Sequence, residues 1–319
     1  MLDKIHLIKK KLSIDEVCKI MNTINLNESE RNGKRYFDNA ITKDFTGGFY
    51  IKIDHDKNLK IVGSVHKYSN YLLTGLLDNF NTFTMQDARD TVFKILSDYG
   101  VNIFGLLVYS FELGANIRTE ISPAVILEKL ESINGKKFYY NSIYKHESVK
   151  TTDLHRDFRV VHKVYDKIRE MLDKKRTPPD IKENIIRIET QYRRVQKMDL
   201  NQFLSIENLT KMQQKFIKDF QNIHFLPNII NVAKCPQNQI EIARNIIIYG
   251  TEKAAEIYRE RHFTGETSYK QYRHQKQFIN DWFSRELYKK FKPTTPEFFP
   301  FWEKMLNAEF QILTQNKQT

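Results

Sequence analysis

The 319-residue sequence predicts an α+β fold: an antiparallel sheet with helices on one face over residues 1–202, followed by a mostly helical basic domain over 203–319. Three observations carry this expectation. Segments with strict apolar alternation, the period of a strand, recur up to about residue 200, interleaved with segments whose apolar residues fall at i, i+3 and i+4. From about 203 the alternating segments give way to helical ones rich in Lys, Arg, Gln and aromatics. A composition of 40% hydrophobic and 28% charged residues is enough to bury a sizeable core at this length.

The elements follow in order. LDKIHLIKKKL (2–12) alternates as a strand, and SIDEVCKIMNTI (13–24) opens with a serine cap followed by acids, a helix start. GGFYIKIDHD (47–56) and NLKIVGSVHKYSN (58–70) predict a hairpin, turning near Asp56–Asn58. TMQDARDTVFKILSDYG (84–100) predicts a helix with a threonine cap and a terminal glycine. NIFGLLVYSFELGANI (102–117) predicts a long strand, and SPAVILEKLESING (122–135) a helix with proline in its first turn. After KKFYYNSIY come a strand bearing Tyr165, a short helix, a KRTPPD turn and a strand bearing Glu189. Beyond 203, the stretches 206–223, 238–262, 269–291 and 301–313 predict helices, with PNIINVAKCPQ as a connector.

The net charge of +12 and 38 Phe and Tyr residues (22 and 16) favour a polyanionic partner with unpaired bases to stack on. Codon usage of an A/T-rich genome would inflate the same residues. Cys18 and Cys235 are too few and too distant for a disulfide framework, so a reducing compartment is expected. No apolar run reaches membrane length, and the amino-terminal residues lack a signal-peptide pattern. A cytoplasmic location follows as the expectation.

In RVVHKVYDK the alternation puts Val161, Lys163 and Tyr165 on one strand face and His162 on the other. Tyr165 thus lies between two lysines, with Lys167 just past the strand end. A phenol of ordinary pKa is a poor nucleophile, and neighbouring cations favour its ionised form. In IIRIETQYRR a polar stripe holds Arg187, Glu189, Gln191 and Arg193, and in LLVYSFELGANI Glu112 interrupts an apolar strand. Buried glutamates require a partner. Glu112 and Glu189 suit an oxygen-rich Mg²⁺ or Mn²⁺ site, or else a structural Glu–Arg pair such as Glu112 with Arg187. His66 shares a strand face with Ser64 and Tyr68, as a third ligand or a satisfied polar residue. Lys67 faces the other way, where it could contact a phosphate backbone. Tyr165 itself could be a packing residue of the sheet. There is no G-x-x-x-x-G-K-[ST] loop, G-x-S-x-G elbow or H-E-x-x-H.

Four short patterns occur in order: GSVHKYSN (63–70), ELGANI (112–117), KVYDK (163–167) and IRIE (186–189). With them the chain resembles the rolling-circle replication initiators, the phage and plasmid replication proteins related to the filamentous-phage nicking protein, over residues 2–200. The resemblance implies a metal-dependent tyrosine endonuclease and strand transferase with Tyr165 as nucleophile, Lys163 and Lys167 beside it, and Glu112 and Glu189, with His66, as metal ligands. Lys67, Arg187 and Arg193 are expected on the DNA, the helical basic domain 203–319 on DNA or on a partner, and a host polymerase and helicase are the further partners expected. Two features depart from the pattern. The His-hydrophobic-His metal motif of related relaxase-type enzymes has no counterpart here, and Ile168 stands where glycine often follows Y-D-K. Two other readings stay open: a non-catalytic DNA-binding regulator, and a structural or partner-binding protein.

Overall fold

The computed structural model describes residues 1–39, 49–141, 145–150, 160–174, 184–193, 195, 198–231, 233–297 and 299–314. The chain forms two compact units, Met1–Ile223 with Trp302–Thr319, and His224–Phe301.

The first unit begins with β1 (Leu2–Lys9), α1 (Ile14–Thr23), β2 (Asn27–Arg31), β3 (Lys34–Asp38), β4 (Phe49–Ile53), β5 (Leu59–Ser64), α2 (Val65–Thr74) and α3 (Met85–Asp98). It continues through β6 (Leu107–Thr119), α4 (Pro123–Lys129), β7 (Leu130–Ile133), β8 (Lys136–Lys137), β9 (Tyr139–Asn141) and β10 (Lys145–Lys150). Then come β11 (Val160–Asp166), α5 (Lys167–Asp173), β12 (Asn184–Tyr192), β13 (Met198–Asp199), α6 (Leu200–Phe203) and α7 (Ile206–Gln221). The main sheet has the order β2-β3-β4-β5-β1-β6-β12-β11-β10-β9, with β13 on β6. Its pairings are antiparallel.

Local chemistry explains the elements. Alternation in β1 buries Ile5 and Leu7 and exposes Lys4. Ser13 and Glu16 form a capping box on α1, and Thr84 with Asp87 does the same on α3. β4 and β5 pair as expected across the Asp54–Asn58 turn. A β2–β3 hairpin, absent from the sequence expectation, turns at Asn32-Gly33 with φ of 53° and 70°, the dipeptide favoured in tight hairpins.

Two predicted elements are corrected. The second hairpin strand stops at Ser64, whose hydroxyl accepts from the Lys67 amide and caps α2; Val65 and Tyr68 are buried about one turn apart, and Gly75 closes the helix at φ 74°. The helix expected to reach 135 ends at Lys129, because Asn134-Gly135 (φ 50° and 73°) turns β7 back onto β8. The KRTPPD turn lies outside the described residues.

The segment after 203 does not start a new unit. Phe203 packs edge-on to Phe111 of β6 (centroids 4.9 Å), and Phe220 of α7 packs against His162 of β11 (5.8 Å). Helices α6 and α7 thereby cover the apolar face of β6, β12 and β11, and the boundary expected at 202/203 moves to 223/224.

Beyond Ile223 come β14 (Ile223–Phe225), β15 (Asn228–Asn231), α8 (Gln237–Phe263), α9 (Tyr269–Ser284) and β16 (Phe291–Thr294). In the second unit Ile242, Ala243, Ile246, Ala254, Tyr258, Phe278, Ile279, Trp282 and Phe291 form a core. α10 (Phe299–Thr314) brings the chain back to the first unit, where Phe310 meets Phe216 of α7. Among the described residues no helix is long and apolar enough to cross a membrane.

Truncating a buried aromatic leaves a cavity, so Phe220→Ala should lower stability by about 3–5 kcal/mol in urea unfolding. A chain cut after residue 202 should not fold cooperatively.

Candidate active site

Strand register builds the site. Gly114 lies opposite Glu189 and Asn116 opposite Arg187 across β6–β12, while Lys163 lies opposite Glu189 and Tyr165 opposite Arg187 across β11–β12. Paired residues share a face, so Glu112, Gly114, Asn116, Arg187, Glu189, Lys163 and Tyr165 form one polar strip. Strand β1 adds Asp3 through a bulge. Leu2 pairs with Leu113 and Lys4 with Glu112, so three residues of β1 face two of β6 and Asp3 is the extra one.

Arg187, 1% exposed, is the centre of the strip. Its Nη2 donates to Asp3 Oδ2 (2.6 Å), its Nε to Glu189 Oε1 (2.9 Å) and its Nη1 to Asn116 Oδ1 (2.9 Å). Lys163 Nζ bridges Glu112 Oε2 (2.9 Å) and Glu189 Oε2 (3.1 Å). The Tyr165 hydroxyl donates to Glu189 Oε1 at 2.7 Å. Ser64 Oγ donates to Asp3 (3.1 Å), and Asn116 Nδ2 donates to the carbonyls of Asn79 and Phe80, closing the strip from above. Gly114 has no substitute here: a Cβ would lie 2.6 Å from Arg187 Nη2 and 3.1 Å from its Cζ.

The strip holds three carboxyls, Asp3, Glu112 and Glu189, whose ligand oxygens approach within 4.8 Å of one another, against two cations. Burial raises all three, but at Asp3 the charge of Arg187 together with His66, Lys167 and Lys67 outweighs it, and at Glu189 Lys163 with Arg187 does; both stay below the usual carboxylate range. At Glu112 burial and the charge of Glu189 prevail over Lys163, and its pKa is pushed up to about 7. The uncompensated acid therefore shows itself at Glu112. Lys163 is held protonated, the two glutamates outweighing its burial.

The expected residues are placed as follows. Tyr165, Lys163, Glu112 and Glu189 come together as anticipated. The flanking lysines do not activate the phenol, which corrects the sequence argument. Lys163 is taken up by two glutamates, and Lys167, at the start of α5, is buried, pairs with Glu170 (3.0 Å) and lies over the Phe80 ring. Burial and the Glu189 charge push the Tyr165 phenol well above its ordinary pKa. His66 is not on a strand but in α2; its Nε2 meets Asn81 Oδ1 (2.6 Å), its ring stacks on Phe83, and burial drives its pKa down to about 3. It does not join the carboxylate cluster. Arg187 is buried in ion pairs and cannot contact DNA, a second correction. Lys67, half-buried in α2, adds positive charge that lowers Asp3. Arg193 is exposed, its Nε donating to Gln191 Oε1 (2.9 Å).

Asp3 was missed. Alternation alone groups Asp3 with Ile5 and Leu7, whereas the β1 bulge turns it onto the face of Glu112, and nothing in the local pattern shows that bulge.

A divalent cation fits the donor set. The three carboxylates supply hard oxygen ligands, and the excess acid at Glu112 is a deficit of positive charge. The Lys163 ammonium sits between two of those carboxylates, so an ion on the same oxygens would have to displace it. Comparison of the chain with protein-family models and with curated proteins finds no match.

With a pKa raised to about 7 from 4.5, Glu112 contributes stability that is full below the unfolded value and lost as pH rises through about 7. Glu112→Gln stays neutral, so its stability relative to wild type should rise between about pH 5 and about pH 8.5, by on the order of 3 kcal/mol. A difference that does not change with pH in denaturant titrations sinks this assignment. Gly114→Ala should cost about 1–3 kcal/mol, because the new methyl displaces the Arg187 guanidinium.

Proposed function

We propose that this chain is a rolling-circle replication initiator, an endonuclease and strand transferase that nicks an origin DNA strand and rejoins it through a phosphotyrosine at Tyr165. One observation carries the reading: the Tyr165 hydroxyl donates at 2.7 Å to Glu189, a member of a three-carboxylate cluster that fits a divalent cation. Three of the four sequence patterns support it: Glu112 and Gly114 of ELGANI, Lys163 and Tyr165 of KVYDK, and Arg187 and Glu189 of IRIE all lie on this one strip.

Because the phenol resists ionisation, its proton would leave during attack rather than before it, through the Glu189 carboxylate that it faces and on to water, since Lys163 and Arg187 keep Glu189 ionised. Tyr165 Oη bonds to the phosphorus, the bond from phosphorus to the 3′ oxygen breaks, and that oxygen leaves as a 3′-hydroxyl with a proton from water. The 5′-phosphate stays on Tyr165, and the free hydroxyl primes a polymerase. In rejoining, a 3′-hydroxyl attacks the same phosphorus and Tyr165 departs, regaining a proton. The ester stores the bond energy, so no nucleotide hydrolysis is needed. Asp3, Glu112 and Glu189 would hold Mg²⁺ or Mn²⁺, which supplies charge neutralisation at the phosphate. Arg193, exposed beyond Gln191, would steady the DNA backbone.

A second reading, a non-catalytic DNA-binding regulator, is favoured by the same pairing seen differently. Arg187 and Lys163 already neutralise most of the strip, and the phenol is held protonated.

Incubation with a supercoiled origin plasmid and Mn²⁺ separates the two. The first reading expects relaxation and a covalent adduct that peptide mass spectrometry maps to Tyr165, with Tyr165→Phe still binding DNA but forming no adduct. An intact plasmid and no adduct leave the regulator.

A further inference from the structure

The second unit carries a feature that nicking does not use. Gly250, at φ 81° and ψ 164°, breaks α8 into two helical halves. The second half is joined to α9 by a tight turn: the Gly265 amide donates to the His262 carbonyl and the Glu266 amide to Arg261, with Gly265 at φ 79°. Ser268 then caps α9 in a box with Gln271. Two helices joined by a short glycine-containing turn, packed on a common apolar core, form a helix–turn–helix.

The two helices differ in charge. On the second half of α8, Lys253 pairs with Glu256 and Arg261 with Glu241. On α9, Lys270, Arg273 and Lys276 are met by no acid before Asp281, which is taken by Arg285 and Gln277. Phe278, Ile279 and Trp282 turn inward, so helical periodicity centres the opposite face on Arg273 and Gln277, flanked by Lys270, His274 and Asn280. All five are exposed.

We propose that α9 is a recognition helix that enters the major groove of duplex DNA and reads base edges through Arg273, Gln277 and Asn280, with Lys270 and Lys276 on phosphates. A helix about 10–12 Å across matches a groove about 12 Å wide. Arginine pairs bidentately with guanine, and asparagine or glutamine with adenine, whereas unpaired lysines suit the backbone. The first half of α9 carries donors and no carboxylate, which complements the negative potential of the groove. The inference rests on DNA being the partner, as in the proposed function, but not on any chemistry at Tyr165.

The test is selection from a pool of randomised duplexes of about 25 base pairs, using the full chain. Wild type should enrich a discrete sequence. Arg273→Ala and Gln277→Ala should each weaken that sequence by about tenfold or more while binding of random duplex changes little. Lys270→Ala with Lys276→Ala should weaken both and lower the salt slope by about two. These side chains are exposed, so thermal melts should match wild type. No enriched sequence, enrichment unchanged by Arg273→Ala, or equal competition by a single-stranded oligonucleotide of the same sequence each overturns the proposal. The adduct assay on Tyr165 is read separately, so loss of nicking with intact selection fails the nicking reading alone.

Discussion

The first unit is organised around one buried cation. Arg187 sits in the middle of a strand buried on both faces, where an uncompensated guanidinium would cost several kcal/mol. Its planar fork reaches Asp3, Glu189 and Asn116 at once, tying β1, β6 and β12 together. Three other features follow from that demand. The β1 bulge turns Asp3 inward, Gly114 leaves room for the guanidinium, and Asn116 passes the network on to the carbonyls of Asn79 and Phe80. Removing any one partner would leave a charge or a donor stranded away from water.

That demand also sets what the neighbouring groups can do. Arg187 is spent on Asp3 and Glu189, so Lys163 alone answers Glu112, and one acid is left over. The tyrosine meets an acceptor rather than an activating cation. A proton is held on Tyr165 by burial and by Glu189, so the proposed nucleophile would stay quiet until a substrate arrives. Structural pairing and the proposed reactivity draw on the same side chains, which is why both readings of the strip have physical support.

Much of this was legible in the sequence, and the failures have causes. Alternation located β1, β6, β11 and β12, and cap residues located α1 and α3, because both signals are local. The face shared by Lys163 and Tyr165, and the stripe of Arg187 and Glu189, followed from period 2; that the two adjoin depends on the β11–β12 register, which the sequence does not show. His66 was misplaced because V-H-K-Y fits a strand and a helix equally over four residues, and the Ser64 cap decides between them. The Asn32-Gly33 hairpin carried its own signal and was overlooked. Arg187 looked like a DNA contact because a polar stripe is the same pattern whether water or a salt-bridge network covers it. The division near 203 mistook a change of texture for a change of unit; Phe203 and Phe220 are part of the core beneath the sheet.

The return of the chain through α10 has a consequence for the order of folding. Trp302 and Phe310 are buried in the unit that begins at Met1, and Phe310 meets Phe216 across more than ninety residues of sequence. During synthesis the sheet can form as soon as β12 and α7 have emerged, yet its last helix follows only after the whole 224–301 stretch. That stretch is thus an insertion which completes its own core while its host still has a gap. The apolar surface awaiting α10 stays open for that interval, and closing it is a long-range step of the kind that slows folding.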